Sequence, residues 1–212
     1  MTEEEFQNLA SKGYNRVPLV REVLADTETP LSIYLKLGKG KHSYFFESVQ
    51  GGEKWGRFSI IGLPCSTILR VSGNNVSVIT DEIVQEEVQT DDPFGFIGDF
   101  KSRFNVAVTE DDHRFIGGLV GYFSYDAVRF VEPTIGPNLG IDQIETPDIL
   151  LMLSEEVVVF DNLRGTISFV INVDSEKVEN YKVAQARLDE LQEMLKCSAP
   201  LPNAETVESE GE

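Results

Sequence analysis

Between Tyr44 and Gly62 the chain reads YFFESVQGGEKWGRFSIIG: a strand-like run, a glycine-bearing break and a second strand-like run. Glu47, Ser48, Glu53, Lys54, Trp55 and Arg57 crowd around that break. Such a stretch fits three kinds of work: a soluble hairpin connection, a glycine loop that cradles phosphate, or one wall of a ligand pocket. A purely structural use is also open, with Glu47 and Arg57 paired across the hairpin and Ser48 capping the turn.

The phosphate reading fails on spacing. A Walker loop needs four residues between its first glycine and a Gly-Lys-Ser/Thr triplet, whereas Lys54 here follows Glu53 and precedes Trp55. The later run GGLVGY, from Gly117 to Tyr122, lacks the G-x-G-x-x-G spacing of a dinucleotide loop. Glycines inside a strand more often let another backbone come close. His42 and His113 stand alone, with no second ligand at metal-binding spacing. Ser124 lies in YFSYD rather than the G-x-S-x-G setting of a nucleophile elbow. Asp126 and Glu132 flank Arg129, which points to a local ion pair rather than an acid/base couple. No catalytic residue and no metal ligand is assigned from the residues.

Composition narrows the partners. The 212 residues carry a formal charge of −18, from 18 basic and 36 acidic side chains. Nucleic-acid affinity comes from Lys and Arg neutralising phosphates, so this balance argues against a nucleic-acid partner. The same reasoning disfavours an anionic membrane surface. No apolar run approaches the ~18 residues that span a bilayer. The acidic start, MTEEEFQNLA, has neither the basic nor the apolar segment of a signal peptide. Cys65 and Cys197 lie far apart in unlike contexts, so reduced thiols and a cytoplasmic location are expected.

The elements that must position these residues are legible from period and punctuation. Thr2 and Glu5 have capping-box spacing ahead of Phe6, Leu9 and Ala10, which predicts a short N-terminal helix ending at Gly13. NRVPLVREVL fits either extended chain or helix. Thr29 and Pro30 open a second helix, with Leu31, Tyr34 and Leu35 expected toward the core and Gly38 beyond its end. From Ser43 to Thr80 the period is two, with a hairpin turn at Gly73-Asn74-Asn75 and EIVQEEVQ as an edge strand. Asp92 and Pro93 open a third helix whose apolar set is Phe96, Ile97, Phe100 and Phe104. A strand from Phe115, a short helix from Ser124 and a loop over 133–147 follow. Three strands then fill 148–174, the last two joined by a turn at Asn162–Gly165. The final helix is expected to be capped by Ser175 and to bury Tyr181, Ala184, Leu188, Leu191 and Leu195. Hairpins with segregated helices predict an α+β fold on a mainly antiparallel β-sheet. Residues 1–196 form the predicted domain, and 197–212, with prolines and glutamates but no apolar period, a linker or disordered tail.

Four stretches together resemble a known family. FFESVQGGEKWGRFSIIG, TPLSIYLKL at 29–37, GGLVGYFSYDAVRFVE at 117–132 and PDILLMLSEEVVVFDN at 147–162 are similar to the N-terminal region of anthranilate synthase component I. That protein is the chorismate-using subunit of tryptophan biosynthesis. The resemblance covers roughly residues 14 to 196. It implies a regulatory site for L-tryptophan at the Glu-Ser strand end, with Ser48 and Glu47 as polar contacts and Phe46 as apolar surface. Arg57 and Ser59 match the motif without an assigned contact. It also implies that the catalytic acids and bases and the Mg2+-binding glutamates sit in a larger C-terminal domain, which this chain does not contain. The chain alone is then expected to be inactive and to hold no cofactor. A glutamine amidotransferase subunit is the implied protein partner. Two alternatives remain: the matching part of aminodeoxychorismate synthase component I, and a stand-alone amino-acid-binding module.

Overall fold

Thr2 Oγ1 accepts the Glu5 amide at 3.2 Å, and the Glu5 carboxylate accepts the Thr2 amide at 2.7 Å. This reciprocal cap opens helix α1, Glu3–Ser11, as its sequence predicts. The computed structural model describes residues 1–25, 27–50, 54–108, 115–132, 134 and 146–198, with backbone alone at 48–50, 54 and 55.

The ambiguous segment after α1 is strand β1, Arg16–Leu24, paired antiparallel along its whole length with β10, Thr166–Asp174. Long-range pairing decides what local propensity leaves open. Pro18 is tolerated because β1 is an edge strand, where one side of the backbone needs no ladder partner. Helix α2, Pro30–Leu37, has the expected Thr29 cap and Pro at its first position. Its buried face, however, is Pro30, Ile33 and Leu37, and Leu31 is exposed. Tyr34 packs at the rim of the core.

Among the described residues ten strands form two five-stranded sheets, all of whose strand pairings are antiparallel. The first has order β1-β10-β9-β3-β2, where β2 is Tyr44–Gln50, β3 Lys54–Gly62 and β9 Glu156–Asp161. The second has order β6-β5-β4-β8-β7, with β4 Thr67–Ser72, β5 Asn75–Thr80, β6 Ile83–Gln89, β7 Gly118–Phe123 and β8 Ile149–Ser154. The fold is α+β, as expected, with the antiparallel strands divided between two sheets. Only Glu155 separates β8 from β9, so one nearly continuous extended run passes from the second sheet into the first.

Alternation along the strands sorts the core. Ile167, Phe169, Ile171 and Val173 point to the helix side of the first sheet, where they meet Phe6 of α1, Ile33 and Leu37 of α2, and Leu188 and Leu191 of α4, Glu179–Leu195. Val157, Val159 and Val170 face the other way, against Phe58, Ile60, Phe115 and Ile116. The second sheet buries Leu69, Val71, Val76, Val78, Ile149 and Leu151 against Phe100 of α3, Pro93–Ser102, and Ala127 of a 3₁₀ helix, Tyr125–Phe130. Each such side chain contributes roughly 1.5–3 kcal/mol when fully buried.

Two further expectations are corrected. Helix α4 begins at Glu179 with no side-chain cap, and the Ser175 hydroxyl instead donates to the Tyr14 carbonyl at 2.6 Å. Arg129 pairs with Asp148 at 2.6 Å rather than with Asp126 or Glu132. The same Asp148 oxygen accepts the Gly73 amide at 2.7 Å, so a loop residue outranks the helix neighbours. Both cysteines are free thiols, and burial pushes the Cys65 thiol up to about 11. The expected tail lies, from 199 on, outside the described residues, as does nearly all of the loop expected at 133–147. Among the described residues no helix is long and apolar enough to cross a membrane.

Candidate functional site

Among the described residues strand β2 is the outer edge of the first sheet and pairs with β3 alone. The ladder runs in regular register from Tyr44–Gly62 through Phe45–Ile61 and Phe46–Ile60 to Glu47–Ser59, then shifts and resumes at Val49–Trp55. Across the shift Ser48 alone on β2 is opposed by Gly56, Arg57 and Phe58 on β3. The hairpin therefore carries a bulge at the position where the sequence places its polar cluster. Bulges bend a strand and re-aim side chains.

Below the bulge the hairpin is fixed by packing. Tyr44 is buried and its hydroxyl lies 2.8 Å from Ser154 Oγ, across the junction of the two sheets. Burial pushes the Tyr44 phenol up to about 12. A Cβ on the paired Gly62 would overlap the Tyr44 ring, so glycine is required there for close approach. Phe46 follows on the same strand face, 52% exposed, its ring 4.9 Å from that of Tyr44. Glu47 is exposed and, among the described residues, has no hydrogen bond or ion pair. Its rung partner Ser59 is fully buried.

Above that rung the Glu47–Arg57 pair of the purely structural alternative is absent among the described residues. Arg57 instead donates from Nε at 3.1 Å and from Nη2 at 2.9 Å to Asp161 Oδ2. Its guanidinium also lies 4.8 Å from the Phe58 ring centroid. Asp161 ends β9 and is buried, and its second oxygen accepts the amides of Leu163 at 3.0 Å and Arg164 at 3.1 Å. Burial alone would push the Asp161 carboxyl up. The hydrogen bonds from Arg57, Arg164 and Leu163 outweigh it and hold the group below its usual value. Asn162 completes the frame: its amide donates to the Arg57 carbonyl at 2.8 Å, and its side-chain Nδ2 to the Gly56 carbonyl at 3.0 Å and Ser59 Oγ at 3.2 Å.

Phe46, Glu47 and Ser48 are consecutive on this edge strand, with Phe46 on the Tyr44 face and Glu47, by alternation, on the opposite one. Arg57 is drawn toward Asp161, and Ser59 is closed off beneath Asn162. Among the described residues the edge exposes the Phe46 ring on one face and a Glu47 carboxylate without an ion-pair partner on the other, an apolar and an anionic group of the kind that meet the body and the ammonium of an amino acid. Asp161 and Asn162 were read from the sequence only as strand end and turn. The signal available was local: an Asp-Asn pair opening a turn that closes at Gly165, whose φ is +62°. A cavity of about 260 Å3 opens elsewhere, where the two sheets meet, lined by Arg16, Phe104, Ile116, Leu153 and Asn172 among others. None of the candidate residues lines it. No cluster of three or more His, Cys, Asp or Glu able to hold a metal occurs among the described residues.

No protein-family model matches the chain. It is 52% identical over 196 residues to anthranilate synthase component 1 of Pseudomonas aeruginosa, a match covering 92% of this chain and 40% of that protein. With the protein of the same name from Neisseria meningitidis serogroup B it shares 43% over 206 residues, covering 95% of this chain and 42% of the relative. The fold is similar to the crystal structure of anthranilate synthase component I from Streptococcus pneumoniae, with a TM-score of 0.53 at 23% identity over 85% of this chain and 37% of that one. The chain spans about two fifths of the length of these relatives. Over that span it is a homologue of the anthranilate synthase component I proteins.

Proposed function

We propose that the chain is the N-terminal regulatory part of an anthranilate synthase component I, and that the β2–β3 hairpin carries part of its L-tryptophan feedback site. The observation behind the enzyme assignment is 52% identity over 92% of the chain to a relative of that name. The relatives reported above all carry the anthranilate synthase name, so the aminodeoxychorismate alternative gains no support from them. In this reading the conversion of chorismate and an ammonia source to anthranilate belongs to sequence outside these 212 residues. Mg2+ and the glutamine amidotransferase partner go with the complete enzyme.

Supporting the feedback assignment is the chemistry of the sheet edge. Glu47 holds the effector ammonium, Ser48 bonds one of its charged ends, and Phe46 supplies apolar surface to the indole. The test is Ser48→Phe in the complete enzyme. A lost hydrogen bond to a charged group is worth roughly 1.5–3 kcal/mol, a weakening of about tenfold or more, and the added ring also fills the effector slot. The tryptophan concentration for half-inhibition should rise at least about tenfold while most chorismate turnover is kept. Ser48→Ala should act in the same direction but less. A folded, active Ser48→Phe enzyme with unchanged inhibition would remove Ser48 from the site.

A further inference from the structure

Among the described residues the edge that carries Glu47 and Ser48 has no ladder partner on its outer side, so its shape depends on what holds β3. Beyond the β9 ladder over Phe58–Gly62, the bulged part of β3 is tied to two consecutive residues, Asp161 at the end of β9 and Asn162 in the turn after it, 104 positions away in the case of Arg57 and Asp161. Five hydrogen bonds join Asp161 and Asn162 to Gly56, Arg57 and Ser59: two from the Arg57 guanidinium, one to the Arg57 carbonyl, one to the Gly56 carbonyl and one to Ser59 Oγ. All three of those β3 residues lie in the bulge facing Ser48 or on the rung facing Glu47. Asp161 also accepts two turn amides, so one hydrogen-bond network joins the β9–β10 turn to the bulge. Ser59 accepts the Asn162 side-chain N–H and is closed to solvent, so it serves this frame.

We infer that Asp161 and Asn162 are positioning residues for effector binding: through the β3 bulge they set the separation and direction of Glu47 and Ser48. The inference rests on the hairpin being the effector site. Asn162 is the more informative of the two, because its side chain reaches both Gly56 and Ser59 while bearing no charge. Truncating it frees the bulge without leaving a buried ion unpaired. Weakened preorganisation raises the cost of binding at a site whose contacting groups are all still present. Because feedback inhibition couples two distinct sites, the loss should fall on the effector and not on the chemistry.

The experiment compares the parent, Asn162→Ala, Asp161→Asn and Ser48→Phe in the complete enzyme. The readouts are kcat and KM for chorismate, half-inhibition by tryptophan, and hydrogen exchange of the 54–59 amides without effector. Expected for Asn162→Ala is a five- to twentyfold rise in half-inhibition, kcat and KM within twofold of the parent, and faster exchange in 54–59. Asp161→Asn should follow, and if it fails to fold, Asn162→Ala still decides. Unchanged inhibition in Asn162→Ala, with Ser48→Phe relieved, would overturn the positioning role and leave the effector site standing. A parallel loss of turnover and inhibition would also overturn it, as the mark of a general folding defect. A parent insensitive to tryptophan would overturn the effector site and this inference with it.

Discussion

Arg57 shows how one residue's role is settled by a partner its neighbours do not announce. Strand alternation puts Glu47 and Arg57 in the same hairpin, and a cross-strand ion pair is the obvious reading. The bulge removes it, because three residues of β3 oppose one of β2 and Arg57 no longer faces a β2 carboxylate in register. Asp161, brought alongside by the β3–β9 ladder, takes its place. The candidate residues of the hairpin were thus legible in the sequence as a cluster, whereas the frame that holds them was not. Their partners arrive through strand pairing, and no local period reports that. The Asp161 carboxyl titrates below its usual value in the folded chain, against an unfolded value near 3.9. A depressed carboxyl contributes stability that is complete above the unfolded value and is lost as pH falls through the folded one. Asp161→Asn should therefore cost about 1–3 kcal/mol in denaturant unfolding at pH 7, the usual scale for disrupting a buried hydrogen-bonded group. That gap should stay constant down to about pH 5 and close below about pH 4. A gap independent of pH across that range would show that the carboxylate's charge is not what stabilises the turn.

Among the elements, those with caps or strict alternation were legible and those defined by tertiary partners were not. Thr2 and Thr29 cap their helices as read, because a capping box is complete within four residues. The start of α4 was misplaced because Ser175, a good capping residue, is used to tie the end of β10 to Tyr14. The core face of α2 was turned because Leu31 looks apolar enough to be buried, yet α4 and β3 cover the Ile33–Leu37 side. Beside the contact between α2 and α4 lies a partly buried ion pair. Lys36, 8% exposed in its side chain, pairs with Glu28 and donates to the Leu195 carbonyl at 2.8 Å, near the end of α4. Burial would push the Glu28 carboxyl up, but the hydrogen bonds from Lys36 and Ser32 win and lower it. Removing one partner of a buried pair leaves an uncompensated charge, whereas replacing both can be nearly neutral. Because the pair is only partly buried and so partly screened, Glu28→Ala should destabilise the chain by about 1–3 kcal/mol, and Glu28→Gln with Lys36→Met by about 1 kcal/mol or less. Equal losses in the two variants, measured by chemical denaturation, would mean that the pair is already solvated.

At the scale of the whole molecule, the candidate site is a single wall. Phe46 and Glu47 stand on an open sheet edge, and the cavity at the junction of the sheets is built from other residues. A small ligand is ordinarily held by burying most of its surface, and a flat edge offers one side of that enclosure. The relatives are about two and a half times as long as the matched span, so a second wall has sequence from which to come. Titrated by calorimetry, the 212-residue chain should accordingly bind L-tryptophan with a Kd weaker than about 1 mM, corresponding to less than about 4 kcal/mol. The complete enzyme should bind at least about tenfold more tightly, and Ser48→Phe should abolish that difference. The same chain should form no anthranilate from chorismate with either ammonia or glutamine, since the proposed chemistry lies outside it. The two measurements separate the two functional classes. Micromolar tryptophan binding by the chain alone would mean that the site is complete here, and would favour a self-sufficient amino-acid-binding module. Turnover surviving controls for host enzyme would place catalytic groups within these residues and overturn the regulatory assignment. Weak binding with no turnover is the outcome that a half-built site on an open sheet edge requires.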